Sequence, residues 1–465
     1  MKKYLTKNNI LYTIIIIVFL SLSIIISNKH EHWTDEAIAW LIANDLSITE
    51  ILKYMHCDGH PMLFHLIVKL FCFFGLKYNH FNIISILFST LGVTILLFKS
   101  NFKWYIKILL PFTYYIFYQY TIVTRGYCII LLLLSLVATI YEKRIEKSYI
   151  YIILLILLTN LEAYTFLIAG SLYFLFILDY YNNYKKNKKH NIKHLTCIIL
   201  LFLSFLFTTI YMFPRGDGTF KTGYHDYHLA NSFLTTPFDL NIIIILVSVF
   251  LVIFFILIYN KTNKKTIIEA SIIASPTLLF MLFKYANFWH FGIAFLLLIF
   301  LAWIHKLSKI KVFNIFLLIT CIVQICWSIS SSIYDYNKVY APGEEVANFI
   351  KQYDYKNLNI YATDIYETSI NPYFDKNIFI NYQPEYRFFY WNKKNVFYTK
   401  SYKNAYLLNY LLNDDIDIYV STSIQIPGID SHYNEYIFPG ATYFTTSIYE
   451  DMTCYVYVKK ELDTK

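Results

Sequence analysis

Charge is scarce in this sequence. Of its 465 residues, 15% are charged and 57% are hydrophobic, whereas soluble domains usually carry about 25% charged residues. The sequence also contains no glycine-rich phosphate loop, no internal repeat and no low-complexity tract. These features exclude an ordinary soluble domain and leave no signal for a P-loop nucleotide-binding protein or a repeat protein.

Paired cysteines are lacking as well. The seven cysteines have no CxxC spacing and most lie inside apolar runs, so they indicate neither a zinc site nor a disulfide framework. The formal net charge is +9, but the lysines form short clusters between apolar runs rather than one basic face. This distribution is typical of the cytoplasmic loops of membrane proteins and argues against a nucleic-acid partner.

Long apolar runs fill the chain up to about residue 330. Lys2, Lys3 and Lys7 precede a first run over 10–27 that no small-residue cleavage site follows, so we expect an uncleaved anchor with a cytoplasmic N-terminus. Further runs predict spans at 82–98, 106–122, 126–141, 149–161, 163–181, 195–213, 241–260, 267–284, 290–304 and 312–330. The predicted fold class is therefore a polytopic α-helical membrane protein with about eleven transmembrane helices.

Basic clusters predict the orientation of these helices. The basic clusters lie at 99–107, 142–147, 185–193, 261–265 and 305–311. All five fall on the same side of the membrane as the N-terminus if the short helix after Pro61 does not cross the membrane. Because cytoplasmic loops are enriched in lysine and arginine, we predict an integral protein of the plasma or inner membrane with an extracytoplasmic C-terminus.

Two domains are predicted. Residues 1–332 form the transmembrane module, with a first outer loop over 28–81, and residues 333–465 form an extracytoplasmic α/β domain of about 130 residues. The pattern in the second domain predicts helices at 342–352 and 403–412 and strands at 358–362, 416–421 and 454–458.

The first outer loop holds a dense polar stretch from His32 to His65. Thr34 suits the start of one short helix, and Ser47 with Glu50 forms a capping box for a second. Their apolar residues form a stripe, so we expect both helices to lie in the membrane interface. Carboxylates and histidines beside a membrane are costly unless they are solvated or functional, and we interpret this loop as catalytic.

Asp35 and Glu36 are the candidate catalytic acids in this loop. Adjacent residues of a helix point about 100° apart, so the two carboxylates cannot serve one atom together. Acids in a first helical turn also complement the helix dipole without any further role. Their position directly after the first span favours a carboxylate that acts as general base on an acceptor hydroxyl.

The stretch Asp58-Gly59-His60-Pro61 is a turn that leads into a proline-started helix. Asp58 and His60 are also candidate contacts to a substrate or a metal ion, although these residue types do not identify which metal. Arg125 lies at the outer end of a span, where an arginine either snorkels to the interface or binds an anion such as phosphate.

Lys284 and His290 lie on the same predicted outer face and flank an aromatic pair. They either belong to an interfacial aromatic belt or provide a second phosphate contact. Glu162 is an isolated acid at an outer helix end. The loop 215–228 contains two histidines around an aspartate, and it is either a solvated loop that closes over a substrate or a metal cluster.

The order of these motifs resembles that of the GT-C superfamily of glycosyltransferases. An acid pair follows the first span, an interfacial helix comes next, and the step His60-Pro61 opens another helix. Arg125-Gly126-Tyr127 resembles the "aRxY" step of the group that contains protein O-mannosyltransferases and aminoarabinose transferases, and His290 resembles a basic-aromatic step of that group. The likeness covers about residues 10–310.

The resemblance implies transfer of a sugar from a polyprenyl-phosphate donor to a glycan, lipid or protein acceptor at the outer face of the membrane. Asp35 would be the general base and Glu36 a supporting residue, while His60 would line the site. We also count Asp58, Tyr127 and Glu162 as candidate substrate-binding residues. Arg125, with Lys284 or His290, would stabilise the departing phosphate. The sequence departs from the family pattern at two places. A single proline follows His60 where the family usually has two, and the small residue Gly126 stands between Arg125 and Tyr127. Metal dependence varies across the superfamily, so a divalent ion stays open.

A transporter or flippase of lipid-linked saccharides is the alternative function. Transporters often have paired halves with broken helices, and the sequence shows no such pairing, while its polar residues lie near the outer face. A structural or sensor protein with the C-terminal domain as its functional part would leave Asp35, His60 and Arg125 without a common role. We therefore favour an enzyme.

Overall fold

The computed structural model describes residues 7–188, 190–213, 262–284, 287–363, 365–390, 416–426, 428–429, 432–442 and 450–463. Helices dominate this part of the chain. The N-terminal helices are α1 (Lys7–Ser27), α2 (Thr34–Asp45), α3 (Ile48–Asp58), α4 (Leu63–Phe73), α5 (Asn82–Lys99), α6 (Trp104–Leu109), α7 (Ile130–Ile140), α8 (Ser148–Thr159), α9 (Ala163–Asn187) and α10 (Ile192–Met212). The later helices are α11 (Lys264–Phe283), α12 (Phe291–Ile304), α13 (Lys311–Asn337) and α14 (Gly343–Ile350).

Within the described ranges, seven helical segments are long and apolar enough to cross a membrane. They are Lys7–Ser27, Tyr78–Lys99, Gly126–Lys143, Ala163–Asn187, Ile192–Met212, Lys264–Phe283 and Lys311–Asn337. Three shorter apolar helices are α4, α8 and α12. The 12 residues of α8 measure about 18 Å, which is less than the ~30 Å hydrocarbon core of a bilayer.

Two predicted spans differ from the rest. The segment 106–122 is not one helix, because Pro111 lacks a backbone N–H and a continuous α-helix cannot pass through it. It consists instead of the end of α6, a 3₁₀ turn at Leu110–Phe112 and a π-helical segment at Tyr115–Ile122. The predicted span 241–260 lies outside the described residues.

Large apolar side chains are exposed along the spanning helices. Ile14, Ile17 and Ile25 of α1 are each at least half exposed. Comparable apolar side chains are exposed on α10 and α13, among them Ile210 and Ile329. Lipid tails solvate such surfaces without cost, whereas water does not. The helices therefore fit an integral membrane protein.

The C-terminal part is a small α/β arrangement. Its strands are β1 (Ile360–Ala362), β2 (Ile418–Thr422), β3 (Tyr433–Phe438), β4 (Ala441–Thr442), β5 (Glu450–Asp451) and β6 (Cys454–Lys459). A four-stranded sheet has the order β1-β2-β6-β3, in which only the β1–β2 pair is parallel. The predicted helix at 342–352 and the strands at 358–362, 416–421 and 454–458 are confirmed within one to two residues at most ends, while the predicted helix at 403–412 lies outside the described residues.

Helix α2 is enclosed between the membrane helices and the C-terminal part. Leu41 of the predicted apolar stripe is buried, and Ala37, Trp40 and Ala43 outside that stripe are buried as well. The helix packs on α4 and on the 3₁₀ turn at Tyr366–Ser369. It therefore leaves no broad polar face, although the sequence led us to expect one at the membrane interface.

A partly buried ion pair fixes the other end of this helix. Nε of Arg387 donates to Oδ2 of Asp45 at 2.7 Å, and the second arginine nitrogen pairs with Oδ1. Arg387 also donates to the carbonyl oxygen of Phe374. This fork ties the C-terminal residue of α2 to the α/β part of the chain.

Candidate active site

The segment 28–65 forms the two helices that its capping residues predict. Ser47 accepts a hydrogen bond from the backbone N–H of Glu50, whose carboxylate accepts one from Ser47 N at 2.7 Å. This reciprocal capping box starts α3. Helix α2 begins at Thr34 rather than after it, and the Thr34 hydroxyl donates to the carbonyl of Tyr366 at 3.1 Å. The first turn of α2 thus contacts the C-terminal part directly.

A polar cavity of about 140 Å³ opens beside this first turn. Four separate segments of the chain supply its wall, and the lining side chains include Asp35, Asp58, His60, His65, Arg125 and Glu162. Apolar residues such as Ile38, Phe64 and Leu161 complete it. The structure therefore brings together five of the residues that the sequence singled out. They lie up to 127 positions apart in the sequence, which gave no sign that they are close in space.

Asp35 and Arg125 form an ion pair at the cavity wall. Their side chains are 31% and 16% exposed, so neither charge is sealed from solvent or from a ligand. Arg125 has an extended backbone and lies between the π-helical segment and a 3₁₀ turn at Gly126–Ile129. An arginine outside the regular helix can reorient its guanidinium from a carboxylate to another anion.

His60 and Glu162 form a second pair in the same cavity. The imidazole Nδ1 lies 2.6 Å from Oε2 of Glu162, and Gly59 ends α3 with a φ of 79°, which turns the chain toward this wall. Burial lowers the pKa of His60, but the charge of Glu162 and its hydrogen bond raise that pKa above the ordinary value. Glu162 therefore favours the protonated form of His60, which would be a second cation in the cavity.

Tyr127 and His290 lie behind Arg125. The Tyr127 hydroxyl is 3.0 Å from Nε2 of His290, and the Arg125 guanidinium is 6.0 Å from the centre of the Tyr127 ring. His290 is buried and supports Tyr127 rather than lining the cavity. Lys284 is exposed at the end of α11. Neither residue is thus at the cavity wall, although we predicted that Lys284 or His290 would contact the phosphate.

Glu36 points away from the cavity, as its angular offset from Asp35 requires. It is fully buried, and its oxygens lie 3.0 Å from Nε2 of His30 and 3.2 Å from Nδ1 of His32. Burial alone would raise the pKa of Glu36, but the two histidines outweigh this effect and hold that pKa well below its usual range. The backbone N–H of Thr124 also donates to Glu36 at 2.7 Å. Asp35 therefore holds Arg125, and Glu36 holds the preceding residue, Thr124.

Sequence analysis missed several polar residues of this region. His65 lines the cavity, and its buried Nδ1 has no hydrogen-bond partner among the described residues. His30 contacts Asp335 of α13 at 2.8 Å, 305 positions away. The HxH step at 30–32 four residues before Glu36 was a visible signal, whereas nothing in the sequence pointed to Asp335.

The part of the chain that the structure describes contains one group suited to a metal ion, and it is not in the cavity. His30, His32 and Glu36 have ligand atoms that all lie within 4.8 Å of one another. Asp58 and His60, which we considered as metal contacts, do not form such a group. The predicted histidine loop at 215–228 lies outside the described residues.

Comparisons with protein-family profiles, with curated proteins and with solved structures found no significant match for this chain. The class that the structure supports is an integral membrane protein with a small C-terminal sheet. The function of the cavity must be inferred from its geometry and chemistry.

Proposed function

We propose that this protein is a membrane glycosyltransferase of the GT-C kind, which moves a sugar from a polyprenyl-phosphate donor to an acceptor hydroxyl. One observation carries the proposal. A carboxylate, Asp35, is paired with an arginine in a solvent-accessible cavity that also holds the His60–Glu162 pair. This transfer requires a base, a cation that binds the phosphate and a second cation.

The Asp35–Arg125 pair explains how the site responds to its donor. A phosphate monoanion matches the planar fork of arginine at least as well as a carboxylate does. Binding of the donor draws Arg125 away from Asp35 and onto the phosphate. The carboxylate then becomes free to accept a proton, so the base is released only when donor is present.

The chemical step follows from these positions. The acceptor oxygen attacks the anomeric carbon of the sugar while Asp35 takes its proton, and the bond from that carbon to the phosphate oxygen breaks. The polyprenyl phosphate leaves with the electron pair. Arg125 and protonated His60 stabilise the charge that accumulates on it, which is the largest electrostatic demand of the step. No metal is needed in this scheme, and none is excluded by it.

The membrane arrangement is part of the proposal. We propose about eleven spans, with the basic clusters at the cytoplasmic side and both the cavity and the α/β domain at the outer side. The seven long apolar segments support a polytopic arrangement. The short helices α8 and α12 and the broken segment 106–122 would cross in company with neighbouring helices, which satisfy broken backbone groups at that depth.

The test is transfer from a panel of radiolabelled polyprenyl-phosphate sugars by wild type and Asp35→Asn in detergent or proteoliposomes. General acid–base catalysis contributes about 10²–10⁴-fold, so we expect a loss of that size in turnover. Donor binding should persist, because Arg125 no longer has a carboxylate to hold it. Asp375→Asn is a matched control, since Asp375 is exposed in the C-terminal part.

Equal turnover by wild type and Asp35→Asn would contradict the role of Asp35 as the base. A protein that consumes no donor but carries labelled lipid across the bilayer would instead be a flippase, and the glycosyltransferase proposal would fail. Reconstitution in sealed vesicles with donor on one side distinguishes these two outcomes in one experiment.

A further inference from the structure

The cluster around Glu36 is built from two distant parts of the chain, residues 30–36 and Asp335. His30 and His32 lie in the connection between α1 and α2, Glu36 is in the first turn of α2, and Asp335 is in the last turn of α13. All four side chains are buried, with Glu36 and Asp335 at 0% and 1% exposure. The cavity uses none of them.

The arrangement of ligand atoms suits a small cation. Each oxygen of Glu36 faces one imidazole nitrogen, at 3.0 Å for His30 and 3.2 Å for His32. Zinc–nitrogen bonds of 2.0–2.1 Å in a tetrahedral site place neighbouring ligand atoms about 3.3 Å apart. The two nitrogen–oxygen separations are close to that value, and one ligand atom from each of the three residues lies within 4.8 Å of the other two. Two histidines and a glutamate are an established ligand set for zinc.

A second carboxylate completes the pattern of a metal site. Histidines that bind metal usually donate their other ring N–H to a carboxylate, which fixes the tautomer and the ring orientation. His30 has this arrangement, because Nδ1 lies 2.8 Å from Oδ2 of Asp335 while Nε2 faces Glu36. Tyr118 donates to the same oxygen of Asp335 at 3.1 Å.

Charge balance favours a dication as well. Glu36 and Asp335 are two carboxylates in a fully buried volume, and buried charge is costly without compensation. The other oxygen of Asp335, Oδ1, is buried and has no hydrogen-bond partner among the described residues. A divalent ion neutralises both carboxylates and leaves both imidazoles neutral, which is the form in which histidine binds metal.

We propose that His30, His32 and Glu36 bind a divalent transition-metal ion of the zinc type, with Asp335 as the residue that orients His30. The ion joins the ends of α1 and α13 to the first turn of α2. Its role is structural, because it holds the turn that contains Asp35 and does not touch the cavity. The proposal does not depend on the glycosyltransferase function.

The test measures metal content directly. Full-length protein with an affinity tag that lacks histidine is stripped with chelator, incubated with Zn²⁺, desalted and analysed by mass spectrometry of elements. We expect near-equimolar zinc in wild type and in His80→Gln, since His80 is exposed and outside the cluster. His32→Gln and Glu36→Gln should lose the ion, and Asp335→Asn should bind it about 10–100-fold more weakly.

Two measurements on wild type alone keep the test decisive if a variant fails to fold. Co²⁺ should give the visible absorption bands of a four-coordinate ion, and Zn²⁺ should raise the thermal midpoint, because a ligand of the folded state stabilises it. Zinc retained equally by His32→Gln would overturn the proposal. Wild type that binds no stoichiometric Zn²⁺ or Co²⁺ would overturn it too, and the cluster would then be an ion-pair network of protonated histidines.

Discussion

Replacing Gly126 by alanine tests the geometry of the cavity with a single methyl group. Gly126 follows Arg125 and has no positive φ, so its backbone accepts alanine. The new Cβ would clear Cβ of Phe64 at 3.4 Å and Cδ of Glu162 at 3.5 Å, but it would overlap Oε1 of Glu162. The overlapped atom is the end of a flexible side chain, so the protein should fold and the carboxylate should move.

The size of the effect follows from the size of this displacement. Relief of the overlap requires a shift of about 1 Å, and a misplacement of that size can cost about 10²-fold in rate. The shift would also disturb the bond between the other carboxylate oxygen, Oε2, and His60, and so weaken the interaction that raises the pKa of His60. We therefore expect transfer to fall by about 10²-fold, while the free energy of unfolding stays within about 1 kcal/mol of wild type.

The assay compares donor turnover and thermal unfolding for Gly126→Ala and Gly170→Ala. A Cβ on Gly170, in α9, meets its nearest neighbour, the ring of Phe205, at an ordinary 3.7 Å, so this variant makes the same chemical change without displacing a polar group. It should keep wild-type turnover. Full activity of a folded Gly126→Ala would refute the inference that the position of Glu162 matters for the reaction.

Two further predictions concern ion pairs. Glu162 raises the pKa of His60 above its ordinary value, so donor binding should weaken as the pH rises through that raised pKa. In a binding titration, Glu162→Gln should move this transition to lower pH. Identical pH profiles for wild type and variant would contradict the prediction. Asp45→Asn and Arg387→Met should each lower the free energy of unfolding by about 1.5–3 kcal/mol. In thermal denaturation, the double variant should lose no more stability than either single variant. Additive losses would show that the two residues do not act as a pair.

The fold was predictable where one physical signal dominates. Continuous apolar runs predicted α1, α5, α9, α10 and α13, because burial in lipid requires hydropathy over a whole helix. Hydropathy does not register backbone geometry, so the same method treated 106–122 as one span although Pro111 interrupts it. Three strands of the C-terminal part, β1, β2 and β6, were predicted, whereas β3, β4 and β5 were not. The order of the strands in the sheet depends on pairing between distant segments.

The sequence predicted some of the residues that line the cavity but not how they pair. Asp35, His60 and Arg125 stood out because charge beside a membrane needs a reason, and all three line the cavity. The partners of these residues, such as Glu162 for His60, are set by how α9 packs against the first outer loop. His65 was not predicted as a site residue, because the sequence does not distinguish a histidine that packs in a short apolar helix from one that lines a cavity.

The acid pair at 35–36 shows why adjacent acids need not share one role. One residue along a helix changes the side-chain direction by about 100°, so Asp35 reaches the cavity while Glu36 enters the buried cluster with His30. Glu36 also holds the backbone of Thr124, the residue before Arg125. If the proposed transfer takes place in the cavity, we expect a substitution at Asp335, 300 positions from Asp35, to lower turnover through His30 and Glu36, without any change in the residues that line the cavity.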